Sequence, residues 1–211
     1  MKKIAFPAVI LALLLAGCGG VYKPFELMDD RAQMKPGTLA VIAADTSEPT
    51  PLIAQALTMQ LKERSTFRVL SQDEVARRLG KYPASIKRAN PENEDRPVWY
   101  AKGEKAKIDA LQEKVKADYL FIVWTGRLNK VVTQRSQGGS SVSYEVGVVG
   151  NVIEYPKTRT VGYSNFGRRR SQTCCLFGKS EGEDINELLK DAGTVMADEF
   201  ISATKSERPG K

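Results

Sequence analysis

The chain has 211 residues, of which 42% are hydrophobic and 27% charged, a composition ordinary for one globular domain with or without appendages. It contains no histidine, which removes the commonest general base, the commonest metal ligand and the usual partner of a nucleophilic serine or cysteine. The formal charge of +7 suits contact with anionic lipid headgroups or wall polymers, and general solubility explains it equally well.

The amino terminus is the most informative stretch. Lys2 and Lys3 precede the almost wholly apolar run 4–15, which is too short to span a bilayer as a stable anchor and reads as a secretory signal. It ends in Leu15-Ala16-Gly17-Cys18, which resembles the lipobox of bacterial lipoproteins. That resemblance implies cleavage before Cys18 and acylation of its sulfur and new amino group, so that the membrane becomes a partner through the acyl chains. Gly19 stands where an aspartate would direct inner-membrane retention in enteric sorting, which favours the periplasmic face of the outer membrane and leaves inner-membrane retention open. An ordinary secretory signal that happens to end near a cysteine is the competing reading. Cleavage leaves 194 residues and, with Lys2 and Lys3 gone, a formal charge of +5.

Residues 18–36 read as the acylated cysteine and a tether, because Gly19, Gly20, Pro24 and Pro36 interrupt any periodicity. The domain is expected over 37–204. Thr38 to Ala44 is a short apolar run, consistent with a strand buried on both faces. Thr50-Pro51 is a cap and first-turn pair for a helix carrying Leu52, Ile53, Ala56, Leu57 and Leu61 to about Arg64. Phe67 to Leu70 predicts a second strand. Ser71-Gln72-Asp73-Glu74 matches a capping box ahead of Val75 and Leu79, and Gly80 is a stop. This strand–helix–strand–helix order favours a parallel pair.

Pro83, Pro91, Pro97 and many charges make 81–97 a surface insertion. Ile108, Leu111 and Val115 predict a helix to about Ala117, and Tyr119 to Gly126 predicts the strongest strand, possible past Lys130. Val142, Tyr144, Val146 and Val148 alternate in a one-faced strand after the turn at 137–140, and Thr160 to Phe166 returns after the turn at 155–158. Two successive hairpins make this part of the sheet antiparallel. Residues 167–183 read as a basic loop holding Cys174 and Cys175. Asp184 with Glu187 opens a last helix striped by Ile185, Leu188, Leu189, Ala192, Val195, Met196 and Phe200. Residues 205–211 are a polar tail. The expected fold is α/β with α+β character, a single mixed sheet of about five strands with helices packed on it.

This order of elements, with the lipobox, resembles a group of envelope proteins that includes the LpoB-type penicillin-binding-protein activator, the periplasmic part of the CsgG-type secretion lipoprotein and the amino-terminal domain of TolB. The residues that carry the likeness are 38–45, 52–61, 67–71, 117–123 and the helix at 185–200. The resemblance implies a small α/β domain with a role in the envelope.

Few side chains suggest a site. Arg168-Arg169-Arg170, with Lys179, form the densest positive cluster and suit phosphate or carboxylate, although a solvated loop explains them as well. Trp99 and Tyr100 offer a binding lip on the insertion, and packing of the insertion onto the sheet is the alternative. Asp45, Glu48 and Thr50 lie where a crevice at strand ends can bind a ligand, and turn formation and capping explain them too. Trp124 reads as core. Cys174 and Cys175 have no Cys-x-x-Cys spacing, so no metal or cofactor is expected. Nucleic acid is a poor partner for an exported, anchored protein. The expected function is a non-enzymatic binding or assembly factor for envelope machinery. The alternatives are an oligomeric subunit of a secretion or export complex, or a wall hydrolase using carboxylates alone.

Overall fold

The structure is a computed structural model that describes residues 23–28, 34–47, 49–89, 98–134, 140–156, 159–172 and 181–205. Strands β1 (Lys23–Leu27), β2 (Thr38–Ala43), β3 (Arg68–Val69), β4 (Tyr119–Gln134), β5 (Ser140–Glu154) and β6 (Arg159–Gln172) form one sheet in the order β1-β6-β5-β4-β2-β3. β2 pairs in parallel with β3 and with β4, and the other pairings are antiparallel, so the sheet is open and mixed. Helices α1 (Pro49–Arg64) and α4 (Glu181–Lys205) pack on one face, and α2 (Gln72–Leu79) and α3 (Lys105–Val115) lie on the other side. Six strands stand where the sequence predicts about five.

The central strands are apolar without alternation because both faces are covered. Leu39 to Ala44 and Leu120 to Val123 are fully buried. Leu39, Val41, Phe121 and Val123 point to the α1–α4 side, and Ala40, Ile42, Leu120 and Ile122 to the α2–α3 side. On the first side Phe200 of α4 is fully buried and meets Phe25, Phe67 and Phe121 at ring-centroid distances of 5.1, 5.5 and 5.6 Å. Offset and edge contacts of this kind each add about 0.5–1.5 kcal/mol to the burial itself. On the second side Trp124 is buried and its Nε1 donates to Ile86 O at 2.8 Å.

The phenylalanine cluster explains β1. The sequence reading places 18–36 in a tether, yet Lys23–Leu27 pairs with β6. Phe25 is the buried anchor of the strand, seated on Phe121 and Phe200 and over Gly162, where an added Cβ would run into the Phe25 ring, and Leu27 packs against the same core. Only a glycine lets that ring lie flat against β6.

The 81–97 insertion also differs from its expectation. Residues 90–97 lie outside the described residues, but Ala84 and Ile86 are buried in the second core. The reason lies in β2, which has β3 beside it only at Thr38 and Leu39. The rest of that edge needs partners for its backbone groups. Gln72 Nε2 donates to Val41 O at 3.0 Å, Ala43 N donates to the Tyr82 hydroxyl at 2.9 Å, and Ala84 N and Ile86 N donate to Ala43 O and Ala44 O at 3.0 and 2.6 Å. The segment serves as an irregular edge strand. Burial pushes the Tyr82 phenol up to about 12, with the hydrogen bond from Ala43 pulling the other way.

Helix ends follow local chemistry. Ser71 Oγ accepts from Glu74 N at 3.2 Å, as the capping box predicts, and Gly80 takes φ +70° where α2 stops. Among the described residues no helix is long and apolar enough to cross a membrane.

Candidate interaction surfaces

A bulge gives β4 its second half. Thr125 faces Val148 and Leu128 faces Val146, so β4 spends one more residue than β5 between those points. The extra residue flips the alternation. Before it, Phe121, Val123 and Thr125 share the α1–α4 face, and after it Leu128, Lys130 and Val132 do, opposite Val146, Tyr144 and Val142. β6 adds Arg168 to the same face, in register with Val146. From Leu128 onward only β4, β5 and β6 are paired among the described residues, so the sheet continues as a three-stranded ribbon. Tyr144 and Val146 are buried, whereas Leu128 is 37% and Val132 57% exposed, and Lys130 Nζ lies 5.8 Å from the Tyr144 ring centroid.

The arginine cluster belongs to this ribbon and not to a loop. Arg168, Arg169 and Arg170 are residues of β6, in register with Val146, Glu145 and Tyr144. Arg168 is exposed, and the side chains of Arg169 and Arg170 lie outside what is described. Basic side chains do not stop a strand whose backbone is paired along its length, so composition alone misreads 167–172 as loop.

A crevice of about 370 Å³ opens at the carboxyl end of β2, beside the bulge in the middle of β4. Asp45 and Thr125 line it from the sheet, and Ser85, Lys87 and Arg88 from the insertion. Asp45 accepts from Ser47 N at 3.0 Å and from Ser47 Oγ, which makes it a turn residue. Thr50 is fully buried in the first turn of α1 rather than capping it from outside. Its Oγ1 donates to Thr125 Oγ1 at 2.7 Å and accepts from Thr125 N at 3.1 Å, which ties the start of α1 to β4. Glu48 lies outside the described residues. The lining suits a small polar group between a carboxylate and two cations.

A groove of about 670 Å³ runs between α1 and α4. Leu52 and Met59 expose 40% and 54% of their surface there beside Ala56, and Gln55, Gln60, Asn186 and Lys190 form its rim. The helices meet closely below it. A Cβ on Gly193 would come within 2.8 Å of Ala56 Cβ, and Arg64 pairs with Asp198 at 2.5 Å. Sequence periodicity misses this groove because Leu52 looks like a core residue, and its exposure follows only from how α4 is placed.

Trp99 is buried on the α2–α3 side, with its backbone N donating to Asn151 Oδ1 at 2.6 Å, and Tyr100, half-buried, bridges Arg88. These aromatics pack the insertion onto the sheet. Leu15, Ala16, Gly17, Cys18, Cys174, Cys175 and Lys179 lie outside the described residues. Among the described residues no cluster of three or more carboxylate, thiol or imidazole groups is arranged to hold a metal.

No protein-family model matches the chain, nor does any curated protein. Solved structures similar to it include the PelC dodecamer from Paraburkholderia phytofirmans, at 11% identity and TM-score 0.44, covering 81% of this chain and 95% of that one. They also include the lipoprotein GNA1162 from Neisseria meningitidis, at 10% identity and TM-score 0.41, covering 77% and 99%. A minor lipoprotein from Acinetobacter baumannii is similar at 9% identity and TM-score 0.40, covering 78% and 89%. At these levels of identity and superposition the likeness carries no statement about what this chain does or assembles into.

Proposed function

We propose that the chain is an envelope lipoprotein, anchored through acyl groups on Cys18, that works without enzymatic chemistry as a binding or assembly factor. The observation that carries the reading is the pairing of a lipobox-like quartet with a domain whose α1–α4 face exposes Leu52 and Met59 in an apolar groove. An exposed apolar groove with a polar rim is the form of a protein-docking site. Acylation adds effective concentration, since a domain confined to the membrane meets its partner in a thin layer. Several chains on one cysteine, each contributing about 0.8 kcal/mol per buried methylene, hold where one would exchange. Gly19 after the cysteine favours the periplasmic face of the outer membrane.

The second reading is an oligomeric subunit of an export complex. It draws on the ribbon, where no strand pairs with β4 on its outer side past the bulge among the described residues, and an open edge invites pairing with another chain.

Crosslinking in intact cells followed by mass spectrometry separates the two. Capture of one envelope protein through the α1–α4 face, lost on Met59→Glu and weakened in Cys18→Ala, supports the binding factor. A regular ladder of self-crosslinks through the β4 edge supports the oligomer and removes the first reading.

A further inference from the structure

The register of β1 fixes from which end of the sheet the chain leads back toward Cys18. β1 runs antiparallel to β6, with Lys23 opposite Asn165 and Leu27 opposite Gly162. Its amino end therefore points along β6 toward Arg168 and Gln172, the end at which the ribbon continues. Only Gly19, Gly20, Val21 and Tyr22 separate Cys18 from Lys23. Five Cα steps span at most about 18 Å. Along β6, Arg168 stands about 10 Å beyond Asn165 toward the ribbon tip, and Arg159 about 20 Å the other way, at roughly 3.4 Å per residue. A cysteine whose acyl chains lie in a bilayer holds the ribbon end close to that bilayer and keeps the opposite end away.

The ribbon presents matching chemistry there. Leu128 and Val132 are exposed apolar side chains on the same face as the exposed cations Lys130 and Arg168. Glu145, in register with Asn129 and Arg169, belongs to the opposite face. Apolar residues interleaved with long basic side chains suit an anionic headgroup layer, where the stems enter the interface and the charges meet phosphate. We propose that this face of the ribbon, through Leu128, Lys130, Val132 and Arg168, rests on the anionic lipid surface that holds Cys18. The inference rests on the reading of Cys18 as acylated. It replaces a loosely tethered domain by one seated on the membrane with a defined end down.

The test uses the full mature protein purified from membranes. Its intact mass is recorded, and it is placed in nanodiscs of phosphatidylcholine with or without phosphatidylglycerol. Hydrogen exchange is then followed over 128–134 and 140–147. Slower exchange in the anionic discs than in detergent or neutral discs is expected. Lys130→Gln and Arg168→Gln are each expected to shift the docked–undocked equilibrium about fivefold, the fold-change that about 1 kcal/mol per basic residue at an anionic surface represents. An acylated protein whose ribbon exchanges alike in all three media overturns the ribbon contact and leaves the anchor standing. Equal protection in neutral and anionic discs overturns the electrostatic docking. An intact mass without acyl groups overturns the anchor itself and, with it, the premise.

Discussion

Gly193 on α4 packs tightly against the backbone of α1, and Gly193→Ala tests the packing directly. A Cβ built there lies 2.8 Å from Ala56 Cβ, 2.9 Å from Leu57 N and 3.0 Å from Ile53 O. Two of those atoms are backbone of α1, so no side chain can rotate away and the helices have to separate. In an open helix interior glycine to alanine gains about 1 kcal/mol of propensity. Overpacking against a rigid neighbour costs about 1–3 kcal/mol, and the backbone contacts place this site near the upper end. The balance is a loss of about 2 kcal/mol, or roughly 4–8 °C in Tm for a domain of this size. Gly182, in the first turn of the same helix, has nothing within 4 Å of its virtual Cβ. Gly182→Ala is therefore expected to be neutral or to raise Tm by up to about 4 °C. Thermal unfolding followed by circular dichroism compares the two. A Gly193→Ala protein as stable as Gly182→Ala would refute the helix contact.

Gly162→Val displaces the Phe25 ring that holds β1, and the loss of about 1.5–3 kcal/mol makes local opening roughly ten- to a hundredfold more frequent. Limited proteolysis between Cys18 and Met34 accelerates accordingly, and an unchanged rate would mean that Phe25 does not hold the strand. Asn151→Ala leaves the buried Trp99 N–H without its acceptor and costs about 1–3 kcal/mol, read as a lower urea midpoint at unchanged m-value. The Tyr82 phenol is raised from 10.0 to about 12 in the fold, so the unfolded chain loses its proton first. Its contribution is flat below pH 10, and stability falls by about 1.4 kcal/mol per pH unit between 10 and 12. Tyr82→Phe removes that component, and equal alkaline slopes in the two proteins would count against it.

Sequence pattern was most legible where one local signal coincided with one burial state. The run 38–44 is buried on both faces, and Ser71 caps α2 by accepting from Glu74 N, while the Glu74 carboxylate turns to Arg78. β4 extends past Lys130 to Gln134, as the strand pattern allows. The misreadings have a common cause, which is that tertiary partners override composition. Pro24 and the charges of 23–27 hide a strand because its stability comes from Phe25 meeting three distant elements. Pro83 and the basic residues of 81–89 hide Ala84 and Ile86, whose burial follows from an unfilled edge of β2. The arginines of 168–170 look like loop because pairing with β5 requires backbone rather than apolar side chains. The exposed groove at Leu52 and Met59 needs the placement of α4, which no window of sequence contains.

Acylation of Cys18 is the premise of the proposed function, and intact mass spectrometry of the wild-type protein and Cys18→Ala, with fractionation of cells into membrane and soluble pools, tests it most directly. The expected result is a wild-type mature chain that begins at Cys18, carries acyl groups and sediments with the membrane, and a Cys18→Ala protein that lacks them. A wild-type chain cleaved elsewhere, free of acyl groups and fully soluble, contradicts the anchor and the membrane-seated orientation drawn from it.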